Sequence, residues 1–137
     1  MSETKPRDAG ELGKSLGQVR VVSIDGNAGR AVIEYQCGLH MCHSGGVAQG
    51  GFVTGWIDAA MAHATMAATN FEFVPMSLEI KVSFFKPAAP GIVTAEAWIE
   101  QKGRSTVFLE GKLTDETGNV LAKATSTVRL IPRAKFT

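Results

Sequence analysis

Residues 43–51 read His-Ser-Gly-Gly-Val-Ala-Gln-Gly-Gly, and the apolar run Phe52–Ala68 follows at once. No other stretch restricts the fold as strongly. Glycine at this density marks a loop. The change after Gly51 to Trp56, Ile57, Met61, Met66 and six alanines, with no proline, favours a helix. The run is apolar around most of its circumference, so the helix is expected to be buried at the centre of the fold. It carries a single carboxylate, Asp58. A buried carboxylate is costly unless it is paired or used, and Asp58 is therefore read as catalytic.

Strands surround this helix in the chain order. Residues 1–10 read as a loose tail, and Glu11–Leu16 as a short helix ending at Gly17. Val19, Val21, Val22 and Ile24 predict a strand over Gln18–Ile24. Ala31, Ile33 and Tyr35 alternate through a second, Arg30–Gln36, with a turn at Asp25–Gly29 between them. After the helix, further strands are predicted at Met76–Phe85, Ile92–Gln101, Ser105–Thr114 and Val120–Ile131. Asp115–Asn119 is a hairpin loop. Without helices between these strands a parallel sheet is excluded. The expected class is α+β, one long helix wrapped by a six-stranded antiparallel sheet, with residues 11–137 as a single domain. Trp98, Phe108 and Val128 are placed on the outer sheet face, which would then need cover from a second copy.

The 137 residues are 45% hydrophobic and 20% charged with a net charge of +1. That balance gives no sign of nucleic acid or of an acidic membrane surface as a partner. The N-terminus is polar and unlike a signal peptide, and Phe52–Ala68 is short for a span and holds Asp58 and His63. Cys37 and Cys42 are too few for a disulfide framework. A cytoplasmic location is expected. Cys37, His40, Cys42 and His43 lack the regular paired spacing of a zinc site, and no metal is expected.

Loop, helix and strand order together resemble the hotdog fold, and the loop narrows the resemblance to thioesterases of the phenylacetate-degradation type. Their pattern is N-x-x-G-x-x-H-G-G, six residues, then Asp. Here His43-Ser44-Gly45-Gly46-Val47-Ala48-Gln49-Gly50-Gly51 is followed by Phe52–Ile57 and Asp58. Ser77, Phe85-Lys86-Pro87, Lys102-Gly103-Arg104-Ser105 and Asp115…Gly118-Asn119 also look like that family, and the match runs over residues 11–131. In two places the chain departs from it: His43 stands for the usual Asn, and Gln49 for the usual His. Both can still donate a hydrogen bond.

The resemblance implies hydrolysis of acyl-CoA or aryl-CoA thioesters, with coenzyme A as part of the substrate and no other cofactor. Asp58 would be nucleophile or general base, between which sequence does not choose. Gly50 and Gly51 fall at the helix N-terminus, where unpaired N–H groups and the helix dipole favour negative charge. The resemblance assigns the oxyanion donor to the Gly50 N–H, and Gly51 shapes the turn. Asp58 shares a helical face with Gly51, Thr54, Gly55, Ala62 and Thr65, small residues that leave room for a ligand. His43 would hold the thioester carbonyl or a water, or be a loop histidine satisfied by backbone. Gln49 would fix the loop or touch substrate, and Ser77 would position the attacking water or be a plain strand serine. Lys102, Gly103, Arg104 and Ser105 would lie near the nucleotide phosphates, or form a solvated turn. Phe52, Trp56, Phe71 and Phe73 suit an acyl pocket or the core equally, and His63 reads as a core or interface histidine. Family active sites form at a dimer interface, which implies a homodimer and a tetramer of two dimers.

Two rivals remain. A non-catalytic acyl-CoA binder or sensor could use the same fold, although the 17 residues before Gln18 leave no room for a DNA-binding domain. A hydratase would pair Asp with His, which the spacing of Asp58 and His63 does not favour.

Overall fold

The structure is a computed structural model that describes residues 9–136. The expected tail lies outside the described residues up to position 8. Its end already belongs to helix α1, Ala9–Leu16. Gly17 closes α1 with a φ of +77°, donating to the Lys14 carbonyl at 3.0 Å. A Cβ at Gly17 would lie 2.4 Å from the Gln36 carbonyl oxygen, so this left-handed cap admits only glycine.

The elements then follow as β1 (Gln18–Asp25), β2 (Arg30–Cys37), a 3-10 turn at Leu39–Met41, and α2 (Gly50–Ala68). After α2 come β3 (Phe73–Phe84), β4 (Gly91–Lys102), β5 (Thr106–Thr114), β6 (Val120–Pro132) and a last 3-10 turn at Arg133–Phe136. All pairings are antiparallel, in the spatial order β1-β2-β4-β5-β6-β3. This is the α+β architecture that the strand order pointed to. No helix among the described residues is long and apolar enough to cross a membrane.

Helix α2 seats on the sheet through the smallest side chains available. Ala31, Ala97, Gly111 and Ala124 are register partners in sequence across β2, β4, β5 and β6, so they form one row across the sheet. Each is buried. A Cβ built at Gly111 would meet Ile57 Cγ2 at 2.7 Å and the Glu96 carbonyl oxygen at 3.1 Å. Val53, Trp56, Ile57, Ala60, Met61 and Ala64 are the helix residues buried against this trench, at helical spacing. Trp56 stacks on Tyr35 with ring centroids 6.2 Å apart and donates its indole N–H to the Leu16 carbonyl at 2.7 Å, which fixes the end of α1. Trp56 is thus core, and Phe52 leans on it.

Three expectations change. The helix is not buried all round: its sheet side is, while Asp58, Thr54 and Ala62 are only partly covered. Val128 is a core residue, 2% exposed, whereas Phe108 is exposed on the outer sheet face as expected. On that face Arg30 lies 5.2 Å over the Trp98 ring and bonds Glu96, and Arg20 pairs with Glu34 at 3.0 Å. Strict alternation also fails in β3, where a register shift falls between Ser77 and Glu79 and leaves Leu78 exposed.

Two predictions follow from this packing. Gly111→Ala forces the α2 contact apart and lowers stability by about 1–3 kcal/mol, read as a lower urea midpoint at unchanged slope. The second concerns Asp115 in the β5–β6 loop. It accepts from the Asn119 side-chain amide at 3.1 Å, the Thr117 hydroxyl at 2.9 Å and both backbone N–H groups at 3.0 Å. The Asn119 side chain leads in holding its pKa down, from 3.8 to about 2. A carboxyl depressed by folding stabilises the loop above its unfolded pKa and stops doing so as the pH falls through the folded one. The loop should therefore loosen as the pH drops from about 3.8 to about 2, followed by NMR at the Asp115 carboxyl and the Asn119 amide.

Candidate active site

The glycine loop is closed by its own ends. The His43 N–H bonds the Val47 carbonyl at 3.0 Å, and the Gly46 N–H bonds the His43 carbonyl at 2.9 Å, with Gly46 at φ +73°. The exposed His43 ring accepts through Nδ1 from the Gly45 N–H at 3.4 Å. Below it, Cys42 bridges Ala48, the Gln49 N–H bonds the Met41 carbonyl at 2.9 Å, and the Ala48 N–H bonds the Ala88 carbonyl at 2.8 Å. The loop is thereby tied to the start of α2 and to the segment after β3.

Gln49 is the N-cap of α2. Its backbone is extended, and its Oε1 accepts from the Gly51 N–H at 2.9 Å. The Phe52 N–H bonds the Gln49 carbonyl at 2.9 Å. Among the described residues the Gly50 N–H has no acceptor, and it stands at the positive end of a 19-residue helix. Beside it lies a cleft of about 380 Å³ lined by Val47, Gly50, Val53, Phe84, Pro87 and Ala88. The Phe84 ring comes within 3.3 Å of the place a Gly50 Cβ would take, so a side chain there would press on that ring.

Asp58 follows eight residues later, about 12 Å along the helix axis. It is half-buried, not buried as the sequence suggested, and the Ser77 hydroxyl donates to its Oδ1 at 3.2 Å. The irregularity in β3 aims Ser77 across at the helix. Thr54 stands one turn before Asp58 on the same half-open face. Two residues grouped with that face do not belong to it: Gly55 packs against Leu16, and Thr65 is buried with its hydroxyl on the Met61 carbonyl at 2.9 Å.

The structure does not gather all the sequence candidates into one place. Lys102, Gly103, Arg104 and Ser105 form the exposed β4–β5 turn, closed by the Gly103 N–H on the Thr106 carbonyl at 2.7 Å. Register carries Lys102 through Val107 and Val128 to Ser77, three strands and roughly 14 Å away. His63 is half-buried, bonded through Nδ1 to the Ala59 carbonyl at 2.8 Å, in a recess between α1 and α2. Phe71 is exposed in the turn after α2, and Phe73 packs at the margin of the core. His40 lies against Gly38, and no group of three His, Cys, Asp or Glu side chains placed to hold a metal occurs among the described residues. Sequence reasoning missed Phe84 as a wall of the cleft. The only available signal was its place before Phe85-Lys86-Pro87.

A long helix seated in a six-stranded antiparallel sheet, with a glycine loop at its start and a carboxylate two turns on, defines the hotdog class. The chain belongs to the thioesterase superfamily, whose family model matches residues 45–122. It is similar to a protein of Saccharolobus solfataricus to which esterase activity is provisionally ascribed, with 29% identity over 106 residues, 77% of this chain and 74% of that one. Its fold matches the crystal structure of a phenylacetic acid degradation-related protein of Ralstonia eutropha, provisionally a thioesterase. There the TM-score is 0.82 at 26% identity, over 91% and 92% of the two chains. A more distant fold neighbour, smu.793 of Streptococcus mutans bound to acetyl-CoA, has a TM-score of 0.74 at 18% identity over 82% and 87%.

The cap yields a prediction. Gln49→Ala removes the acceptor of the Gly51 N–H and should cost about 1 kcal/mol in a urea melt, while Gln49→Asn, a stronger N-cap type, should restore most of it.

Proposed function

We propose that this protein hydrolyses acyl-CoA or aryl-CoA thioesters, with the Gly50 N–H as oxyanion donor and Asp58 as base or nucleophile. The observation that carries the reading is the unpaired Gly50 N–H at the helix start, opening on an apolar cleft. A thioester carbonyl placed there would direct its oxygen at a preorganised donor as it gains charge, worth a few kcal/mol in the transition state. A side chain at position 50 would press on the Phe84 ring, which glycine avoids.

With Asp58 as base, the carboxylate takes a proton from water while the water oxygen bonds the carbonyl carbon. The carbon–sulfur bond then breaks, and the departing CoA sulfur takes the proton back from Asp58. With Asp58 as nucleophile, its oxygen bonds the carbon, CoA leaves, and water opens the resulting anhydride. The Ser77 hydroxyl holds the carboxylate in either case. His43 reaches the same carbonyl or water from the loop, Gln49 and Gly51 set the helix start, and Thr54 borders the carboxylate. Lys102 and Arg104, with Gly103 and Ser105 shaping their turn, supply exposed cations for the CoA phosphates. That a fold neighbour is bound to acetyl-CoA supports the choice of carrier.

One chain does not complete this site. Asp58 lies about 12 Å along the axis from Gly50, and a side chain leaning back along the helix recovers only a few ångströms. A carbonyl held by the Gly50 N–H and attacked from about 3 Å spans less than that. The Asp58 of a second copy would fill the gap. Strand β3 is an edge with Met76, Leu78 and Phe84 exposed, and two such edges can pair about a two-fold axis. A dimer of this kind, doubled into a tetramer, is the proposed assembly.

The test follows loss of the thioester bond across short, medium, long and aryl acyl-CoAs. Asp58→Asn should lower kcat by about 100-fold or more with acyl-CoA binding retained, and Ser77→Ala should lower it less. Wild type that binds acyl-CoA without hydrolysing any of the panel would make the protein a binder. Equal turnover in wild type and Asp58→Asn would remove Asp58 from the chemistry.

A further inference from the structure

The two cysteines of the chain are absent from the mechanism above, yet they meet in space just below the glycine loop. Cys37 ends β2, fully buried and paired in register with Gly91. Cys42 follows the 3-10 turn, half-exposed, with its thiol 3.9 Å from that of Cys37 and 3.5 Å from the Gly38 carbonyl oxygen. We propose that Cys37 and Cys42 are a redox pair: a peroxide converts them to an intrachain disulfide, and closing that bond displaces the glycine loop at the start of α2.

The two thiols are unequal, which gives the reaction an order. Burial, then the contact with Cys42, pushes the Cys37 thiol up to about 11, so it stays protonated and, being fully buried, is not the sulfur that meets a peroxide from solvent. The half-exposed Cys42 is the sulfur that a peroxide reaches. Its thiolate attacks one peroxide oxygen, the O–O bond breaks, and the departing hydroxide takes up a proton, leaving a sulfenic acid and one water. The Cys37 sulfur then attacks the Cys42 sulfur, the S–O bond breaks, and the leaving hydroxide carries off the Cys37 proton as a second water. Two thiols lose two electrons in total and the peroxide gains them. The buried partner protects Cys42 from further oxidation by capturing the sulfenic acid at once.

Closing the pair requires the sulfurs to approach by roughly 2 Å. Cys37 is fully buried at the end of β2 and paired with Gly91 of β4, so the movement falls on Cys42. That residue is the lower hinge of the loop. Its N–H bonds the Leu39 carbonyl at 3.0 Å, it bridges Ala48, and the preceding Met41 carbonyl takes the Gln49 N–H at 2.9 Å. Drawing Cys42 toward β2 therefore pulls on Ala48 and Gln49, the two residues that set the Gly50 N–H. The chemistry stands on the cysteines alone. Only its consequence for thioester hydrolysis, a reversible fall in turnover, rests on the proposed function.

The experiment reads the thiols and the loop without using enzymatic activity. Reduced wild-type protein is treated with hydrogen peroxide, denatured, alkylated with N-ethylmaleimide and digested with trypsin, which leaves both cysteines in the peptide of residues 31–81. Both thiols should be lost together with the mass of two hydrogens, without cross-linked chains, and dithiothreitol should restore them. Amide exchange over residues 43–51 should be about tenfold faster in the oxidised protein. Cys42→Ser should keep its remaining thiol alkylatable and its exchange unchanged by peroxide. If that variant does not fold, Cys42→Ala serves, and the wild-type result stands on its own. Cys42 carried to a sulfinic acid while Cys37 stays alkylatable, disulfides only between chains, or a disulfide with unchanged exchange would each overturn the proposal.

Discussion

The close approach of α2 to the sheet at Gly111 is the contact on which the other positions depend. A helix laid into a curved sheet leaves little space over the middle strands, and the row Ala31, Ala97, Gly111, Ala124 is what that space admits. These residues are poor strand formers, so their presence runs against local propensity. The gain is contact. Ile57 and Met61 pack directly onto β5, and the helix axis is fixed with little freedom to slide. Larger residues surround the row, with Ile33, Tyr35, Leu109 and Leu113 buried on either side of it. The helix thus lies in a trench whose depth varies by side-chain size alone.

Fixing the helix fixes its two chemical positions relative to β3. Gly50 arrives beside Phe84 near one end of that strand, and Asp58 beside Ser77 near the other. The sheet covers only one side of α2, and the remaining side carries Thr54, Asp58 and Ala62 half-exposed. A carboxylate in that setting keeps access to water and needs one neighbour, which Ser77 supplies. The outer sheet face, with its Arg30–Trp98–Glu96 cluster, takes no part. The proposed chemistry and the proposed assembly both use the helix side and the open edge at β3.

Much of this was legible in the residues. Alanine and the large apolar side chains of Phe52–Ala68 gave the helix, and alternation gave six strands in order with ends close to those observed. The helix start was set two residues late because Gly50 and Gly51 are poor helix formers, and only the Gln49 cap shows that they belong to the first turn. Asp58 was expected to be buried because alanine lies on every side of the helix, so hydropathy could not tell the sheet side from the open side. Leu78 was expected to face the core and is exposed instead, because a bulge resets the phase of an alternating pattern without altering composition. Val128 was placed outside against the pattern of β6 itself, where Ala122, Ala124, Val128 and Leu130 face inward and alternate with Lys123, Thr125, Thr127 and Arg129. Phe84 and the Cys37–Cys42 contact depend on chain segments that meet only in the fold.

The replacement of the family's usual histidine by Gln49 has a structural meaning at the helix start. A helix leaves its first N–H groups without partners, and a side chain at the cap can satisfy only those within its reach. Here the amide oxygen of Gln49 takes the Gly51 N–H, while its backbone carbonyl takes that of Phe52. The Gly50 N–H is left as the donor facing the cleft. A shorter and more favoured cap such as Ser or Asp would bond the second or third N–H of the helix more tightly. Aspartate would also place a negative charge beside the Gly50 N–H, against the proposed oxyanion. A neutral glutamine adds no such charge, accepts one bond, and keeps an amide NH₂ that can donate toward a ligand. The departure from the family pattern therefore exchanges one donor type for another at the helix start, and leaves the Gly50 N–H at the positive end of α2 unpaired, as the proposed oxyanion role requires.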